Sequence, residues 1–194
     1  WFKLFSLPGI SAAITSAAVA FGVMSLIMTA TPVSMSEIQN YPLDDTKTVI
    51  QSHIMAMFIP SLFAPFLFRM FSLFTMLLLG LIVMSVAITI AILDQSYWGY
   101  WSALVCLGIG WNFSFVGGTT LLSQQYDKQE SFTVQAMNDF CVFSTQAVMS
   151  LSAGWIVFNY GWFALNLIAV PLLIFALVMI ARWYFSNHKT KQAT

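Results

Sequence analysis

Long apolar runs separated by short polar segments make up most of this chain. From Phe140 to Ala181 no charged residue occurs, and only an Asn-Tyr-Gly step at 159–161 interrupts the apolar residues. A helix needs about 20 mostly apolar residues to cross the hydrocarbon core of a bilayer, so this stretch is long enough for two crossings. Neither alternating polarity nor short segments of about ten residues, typical of membrane barrels, are present. The pattern therefore predicts transmembrane helices, which satisfy their backbone hydrogen bonds internally.

The same pattern along the whole chain predicts six transmembrane helices in a single domain, residues 1–194. Their predicted ranges are about 9–33, 50–69, 72–93, 97–122, 133–158 and 161–185. Composition agrees, because 59% of the residues are hydrophobic and only 7% are charged, whereas a soluble domain has about 25% charged residues. We expect Pro60 and Pro65 to kink the second helix and Pro171 to kink the sixth.

Basic residues are distributed unevenly between the two ends of these predicted helices. With the N-terminus in the cytoplasm, only Lys47 lies outside. The basic residues that then lie inside are Lys3, Arg69, Lys128, Arg182, Lys189 and Lys191. The positive-inside rule thus predicts a multi-pass membrane protein with both termini cytoplasmic. The net charge is zero, which gives no reason to expect a nucleic-acid partner.

Four short segments carry a family resemblance. The first apolar run ends in Met-Thr-Ala-Thr-Pro at 28–32, and the second contains His-x-x-x-Met-x-x-Pro-Ser at 53–61. The fourth run reads Gly-x-Gly-Trp-Asn-Phe-x-Phe-Val-Gly-Gly-Thr-Thr at 108–120, and the fifth opens with Gln-Ala-Met-Asn-Asp-Phe at 135–140. Together these segments resemble the C-terminal half, helices seven to twelve, of a major facilitator superfamily transporter from a bacterial branch, which implies a location in the bacterial inner membrane.

The resemblance implies an all-α fold in which six transmembrane helices form one half, a 3+3 repeat, of a major-facilitator-type bundle. It also implies secondary active transport of an unidentified small solute by alternating access. The other half would come from the same polypeptide, from a partner chain or from a second copy. Because the chain begins with Trp1 rather than Met, we expect it to be part of a longer protein. The alternative interpretation is a non-transporting six-helix scaffold subunit of a larger complex.

The segment at 65–72 departs from the family pattern. Members often carry a Gly-x-Leu-x-Asp-Arg-x-Gly-type turn between the second and third helices of each half, and this chain has Pro-Phe-Leu-Phe-Arg-Met-Phe-Ser. The leucine and Arg69 are kept, but both glycines and the acid are missing. Arg69 is therefore a candidate for a cytoplasmic gate that lacks the full set of charges.

Asp139 is the leading candidate for coupling or substrate binding. Ionisable residues within membrane segments cost about 2.5–3.5 kcal/mol on insertion scales, so a functional role is the default interpretation. We hypothesise that Asp139 faces the bundle interior and helps to gate or to bind protons. The alternative is an interfacial acid that caps the helix N-terminus, a role that Asn138 could fill equally well.

Four further residues are candidates for a substrate or coupling site. His53 has a pKa suited to proton coupling, or it is a water-exposed residue at the membrane interface. Trp111 offers a stacking face, and Asn112 either lines a cavity or forms hydrogen bonds within a tight helix contact. Gln146 lies two turns beyond Asp139 on about the same face, where it lines a cavity or links two helices.

Motifs of catalytic chemistry are absent from the sequence. We find no His-Glu-x-x-His, no Gly-x-Ser-x-Gly and no phosphate-binding loop. The eleven methionines follow no regular Met-x-x-Met spacing, so they give no reason to expect a metal path. We therefore predict a protein that is not an enzyme and has neither a cofactor nor a metal site. Its partners would be the lipid bilayer, a small-molecule solute and a second six-helix unit.

Overall fold

A computed structural model describes residues 5–127 and 129–192 of this chain, with side chains described as far as Asn187. Every regular element in these residues is helical. The helices are α1 (Pro8–Pro32), α2 (Leu43–Leu62), α3 (Ala64–Met70), α4 (Leu73–Leu93), α5 (Tyr97–Ser123) and α6 (Ser131–Gln192). The predicted all-α fold is confirmed.

α1 forms the centre of the molecule, and nearly all of its side chains are buried. It begins with Pro8 in the first turn, a position that needs no backbone N–H. Near its end Pro32 removes one N–H donor, and the chain continues as a π-helical segment, Val33–Ile38. The wider π turn extends the same span without a break, so α1 and this segment together reach 31 residues.

The second predicted crossing, 50–69, is a broken helix in the structure. α2 ends at Leu62, α3 begins at Ala64, and the two axes are bent by 63°. Pro60 lies inside the last turn of α2 and Pro65 in the first turn of α3. Neither proline can donate a backbone hydrogen bond, so the helix is weakened on both sides of Phe63. The kink that the sequence predicts here is a sharp bend between two separate helices.

Residues 131–192 are one assigned helix that contains a break at Gly161. Gly161 has φ 81° and ψ 172°, a backbone conformation that glycine adopts without steric cost. A straight helix of the apolar 57 residues would be roughly 85 Å long, more than twice the thickness of a hydrocarbon core. The part after Gly161 instead returns along the bundle, because Trp162 bonds to Ala91 and Arg182 bonds to Ser6. No break occurs at Pro171, where a kink was predicted: the residue lies inside the helix and its backbone dihedrals are helical.

α1 packs mainly against α5 and α6. The first part of α6, residues 131–160, runs parallel to α1, with Ala17 beside Val142 and Thr29 hydrogen-bonded to Ser150. The second part, residues 162–192, lies antiparallel to α4, where Phe74 stacks on Tyr184. α5 packs against α2 on one side and α4 on the other. The start of α1 and the last part of α6 therefore lie at the same end of the bundle, together with the start of α4.

α4 and α5 each begin with a serine cap. The Oγ atom of Ser72 accepts a hydrogen bond from the N–H of Thr75, and the Oγ atom of Ser96 accepts one from Gly99. Between the two helices Asp94 accepts a hydrogen bond from the backbone N–H of Ser96 at 2.8 Å. These local bonds fix where α4 and α5 begin, because each serine cap satisfies a backbone N–H that the first turn of its helix leaves unpaired.

Among the described residues, four assigned helices are long and apolar enough to cross a membrane, or up to five when the bent pair α2 and α3 is counted as one span. This count takes α6 as one helix, although it turns back at Gly161. The chain is therefore a membrane protein with transmembrane helices. The arrangement of these helices as one half of a major-facilitator-type bundle stays a prediction, as does the cytoplasmic position of both termini. Four of the residues behind that orientation lie outside the described residues or side chains, namely Lys3, Lys128, Lys189 and Lys191.

Candidate functional site

Two of the predicted site residues link α2 to α5. The Nδ1 atom of His53 lies 2.7 Å from the carbonyl oxygen of Leu104, and the network assigns the proton to Nδ1. The side-chain amide of Asn112 donates to the carbonyl of Met57 at 2.7 Å and to the Oγ atom of Ser61 at 2.6 Å. Both side chains therefore bond to the opposite helix.

Close approach of the two helices depends on Gly108. A Cβ atom at this position would lie 2.8 Å from the carbonyl oxygen of His53 and 3.1 Å from the amide nitrogen of Met57. His53 is completely buried by this contact, so it is not a water-exposed interfacial residue. Its Nε2 atom has no hydrogen-bond partner among the described residues. We call this contact the α2–α5 seam; it comprises His53, Met57, Ser61, Leu104, Gly108 and Asn112.

Aromatic rings from four helices form a second group beside the seam. Trp111 stacks on Phe115 with ring centroids 5.1 Å apart and planes at 9°. Phe21 of α1 meets both rings edge to face, at 5.1 and 5.0 Å. Phe58 of α2 lies 6.4 Å from Trp111, and Phe143 of α6 lies 6.4 Å from Phe21. The rings thus form a continuous row from α2 through α5 and α1 to α6.

Exposure differs strongly along this row. Trp111 is only 5% exposed, and its indole N–H has no acceptor among the described residues. Phe58 and Phe143, at the two ends, are each 59% exposed. The stacking surface that the structure offers is therefore at Phe58 and Phe143, whereas the ring of Trp111 is largely covered by Phe115 and Phe21.

Asp139 and Asn138 lie well inside α6. Asp139 is eight positions beyond Ser131, about two turns from the helix start, so neither residue caps the N-terminus. The side chain of Asp139 is exposed, and its Oδ1 atom accepts a hydrogen bond of 3.1 Å from Asn138. Asn138 is buried, and its own Oδ1 atom has no partner among the described residues.

Asp139 shares one side of α6 with Phe143 and Gln146, which follow it by four and seven positions. Phe143 belongs to the aromatic row, so the acid and the half-buried amide of Gln146 flank that row. We call this surface the aromatic–acid face. It comprises Phe21, Phe58, Trp111, Phe115, Asp139, Phe143 and Gln146.

Arg69 lies apart from both groups. It is exposed in the last turn of α3, at the end of the bundle where the termini meet. Within the described part of the chain it forms no ion pair. The structure therefore places Asp139, Gln146 and Trp111 on one face and His53 and Asn112 in the adjoining seam, whereas Asn138 is buried beside Asp139.

Sequence reasoning missed the phenylalanines of this face. The chain has 18 phenylalanines, and nothing in the local sequence separates those in the row from those on the outer surface. One signal was present: Trp111 and Phe115 are four positions apart, the spacing at which side chains on a helix meet.

Among the described residues, no group of three or more His, Cys, Asp or Glu side chains could hold a metal ion. The polar chemistry of the face consists of one carboxylate, one amide and an indole N–H. Such groups can bind a solute by hydrogen bonds and stacking, and the carboxylate can bind a proton.

Comparison with known proteins identifies transporters as relatives. The chain is 34% identical over 158 residues to "Riboflavin transporter RfnT" of Brucella anthropi, a match that covers 81% of this chain and 39% of the relative. It is 29% identical over 171 residues to "Uncharacterized MFS-type transporter YddS" of Bacillus subtilis, covering 87% of this chain and 39% of that protein. A second Bacillus subtilis protein, "Uncharacterized MFS-type transporter YdeG", is 31% identical over 163 residues, which cover 83% of this chain and 37% of the relative.

No family model and no solved structure matches the chain. The chain spans about two fifths of the length of the curated relatives it matches. The resemblance to major facilitator transporters is confirmed at the level of the superfamily, and the relatives are transporters rather than enzymes. That the chain corresponds to the C-terminal half stays a prediction.

Proposed function

We propose that this chain, a homologue of part of major facilitator superfamily transporters, supplies the C-terminal half of a secondary transporter that moves a small solute by alternating access. The observation that carries the proposal is the similarity to three transporters over more than four fifths of the chain. Two six-helix units with a solute site between them are the general design of such transporters.

The aromatic–acid face is the surface that we assign to the solute and to the other half. It draws on α1, α2, α5 and the first part of α6, and it includes the exposed acid Asp139 together with the exposed rings of Phe58 and Phe143. A carboxylate that faced only lipid would be costly, so a polar cavity between two halves is the favourable environment for it. The second half is either another part of the same polypeptide, a partner chain or a second copy.

We assign separate roles to the charged candidates. Asp139 would bind the proton that couples solute movement to the membrane gradient, because an exposed carboxylate beside the solute can bind and release a proton. Arg69 would contribute to a gate at the end of the bundle that carries the termini. By the distribution of basic residues that end is cytoplasmic, in a bacterial inner membrane.

Riboflavin is the first solute to test, because one relative is named as a riboflavin transporter. The complete gene product would be produced in a bacterial host that does not import riboflavin, and uptake of the labelled compound would be measured with and without a protonophore. We expect accumulation above the empty-vector level that the protonophore abolishes.

A protein that is stable in the membrane but accumulates no solute from a broad library would contradict the proposal. That result would favour the alternative, a non-transporting six-helix scaffold subunit. Orientation is tested separately by alkaline phosphatase fusions at Asn40 and Ser72, which we expect to be active and inactive, respectively.

A further inference from the structure

We infer that the aromatic–acid face selects a solute that contains a flat ring system and carries no net negative charge. The inference rests on the proposed function, because it assigns a substrate class to the face that we propose as the solute site. It follows from the arrangement of rings and charges on this chain.

The ring part of the inference comes from the two ends of the aromatic row. Phe58 and Phe143 are anchored on one side by rings 6.4 Å away, and more than half of each side chain is exposed. Aromatic rings prefer offset-stacked or edge-to-face neighbours at such separations, and both phenylalanines have room for a further partner. A flat solute ring placed on this face would extend the existing row.

One buried polar atom within the row favours a ring that carries a heteroatom. The indole N–H of Trp111 has no acceptor among the described residues. The Trp111 side chain is more than nine-tenths buried. Buried polar groups normally have hydrogen-bond partners, so this free donor matches a solute ring that carries an acceptor.

The charge part of the inference comes from the single acid of this face, Asp139. Asp139 is the only charged residue between 131 and 181, and α1 and its π-helical extension carry only Glu37, near their outer end. Arg69 is at the far end of α3, outside the face. A phosphate or carboxylate on the solute would therefore meet one acid and no base on this face. A neutral or cationic ring would avoid this repulsion, and a cation would gain attraction from the exposed ring faces.

Binding of three tricyclic probes of similar size tests the inference. They are acridine, which is neutral at pH 7.5, proflavine, which is cationic, and anthracene-9-carboxylate, which is anionic. Each would be dialysed to equilibrium against the complete purified protein in nanodiscs, with empty nanodiscs as the reference for partitioning into lipid. We expect saturable binding of acridine and proflavine, at least tenfold tighter than that of the carboxylate.

Matched variants locate the binding to the face. We expect Phe58→Leu and Phe143→Leu to weaken acridine binding about threefold to tenfold, the range that an aromatic pair contributes. Phe175→Leu, at a side chain 52% exposed on the second part of α6, is the control and should leave binding unchanged. Asp139→Asn should reduce the difference in affinity between proflavine and anthracene-9-carboxylate.

Equal binding of the carboxylate and acridine, or equal effects of Phe143→Leu and Phe175→Leu, would overturn the inference. So would the absence of saturable binding of all three probes. The wild-type comparison needs no variant, so it holds even if a substitution prevents folding. Because binding is measured without a gradient, a failure of solute uptake alone would contradict the transport proposal and leave these binding results intact.

Discussion

The α2–α5 seam and the aromatic–acid face both contain polar side chains within apolar helices, but these side chains differ in what they contact. On the seam, the amide of Asn112 bonds to Met57 and Ser61 of the facing helix, and His53 bonds to Leu104. On the face, Gln146 is half-buried and Asp139 is exposed, so the described helices leave both side chains accessible. A polar side chain in a transmembrane helix can thus bond to a neighbouring helix or stay accessible to a solute, depending on whether another helix faces it.

The largest effect should come from filling the seam with Gly108→Val. The new side chain would press on the backbone of His53 and Met57, so α2 must move away and both hydrogen-bond links are strained. We expect a loss of about 3 kcal/mol of stability, at the upper end of the usual cost of overpacking. The measurement is thermal unfolding of the purified protein in nanodiscs, together with the yield of folded protein.

The control for this substitution is Gly154→Val in α6. A Cβ atom at position 154 would meet nothing within 4 Å, so the same change of side chain should leave the unfolding temperature nearly unchanged. Equal losses from Gly108→Val and Gly154→Val would mean that the seam is not a tight contact.

A smaller effect is expected from Asn112→Leu, which removes both hydrogen bonds to α2. Interhelical hydrogen bonds in membranes contribute about 0.6 kcal/mol on average and up to about 1.7 kcal/mol. With two bonds lost and the Met57 carbonyl left without this donor, we expect a loss of about 2 kcal/mol in the free energy of unfolding. Gln146→Leu, the same change of an amide on the face, should cost stability little and reduce solute binding instead.

The helices could be predicted from the sequence because apolar runs and prolines act locally. The sharp bend near Phe63 follows from Pro60 and Pro65, and the turn at Gly161 from an Asn-Tyr-Gly step. The assignment of Asn112 to the seam and of Asp139 to the face could not be predicted. Both are polar residues in apolar helices, and only the position of α2 relative to α5 decides which of them has a partner.

Asp139→Asn tests the face directly. The amide keeps the shape of the carboxylate and can still pair with Asn138, but it binds no proton at neutral pH. We expect gradient-driven accumulation of the solute to fall about tenfold, equivalent to about 1.4 kcal/mol, whereas solute counterflow without a gradient continues. Accumulation would be measured between pH 6 and pH 8, and its pH dependence should disappear in the variant.

The matched control for Asp139 is Glu130→Gln, which neutralises an exposed acid just before the start of α6. It should leave both accumulation and counterflow at wild-type levels. If Asp139→Asn keeps accumulation and its pH dependence intact, the proposed proton role of Asp139 is wrong, whatever the solute.

The smallest effect should come from the hydrogen bond between Thr29 and Ser150, which joins α1 to α6 at 3.2 Å. A double-mutant cycle with Thr29→Val and Ser150→Ala should give a coupling energy of about 0.6 kcal/mol or less, because the two hydroxyls are half-buried and the bond is long. Thr119→Val combined with Ser150→Ala is the control and should show no coupling, since Thr119 bonds to Phe115 of its own helix. A Thr29–Ser150 coupling as large as the loss of stability caused by Asn112→Leu would contradict the expectation that the polar links of the seam are the stronger ones.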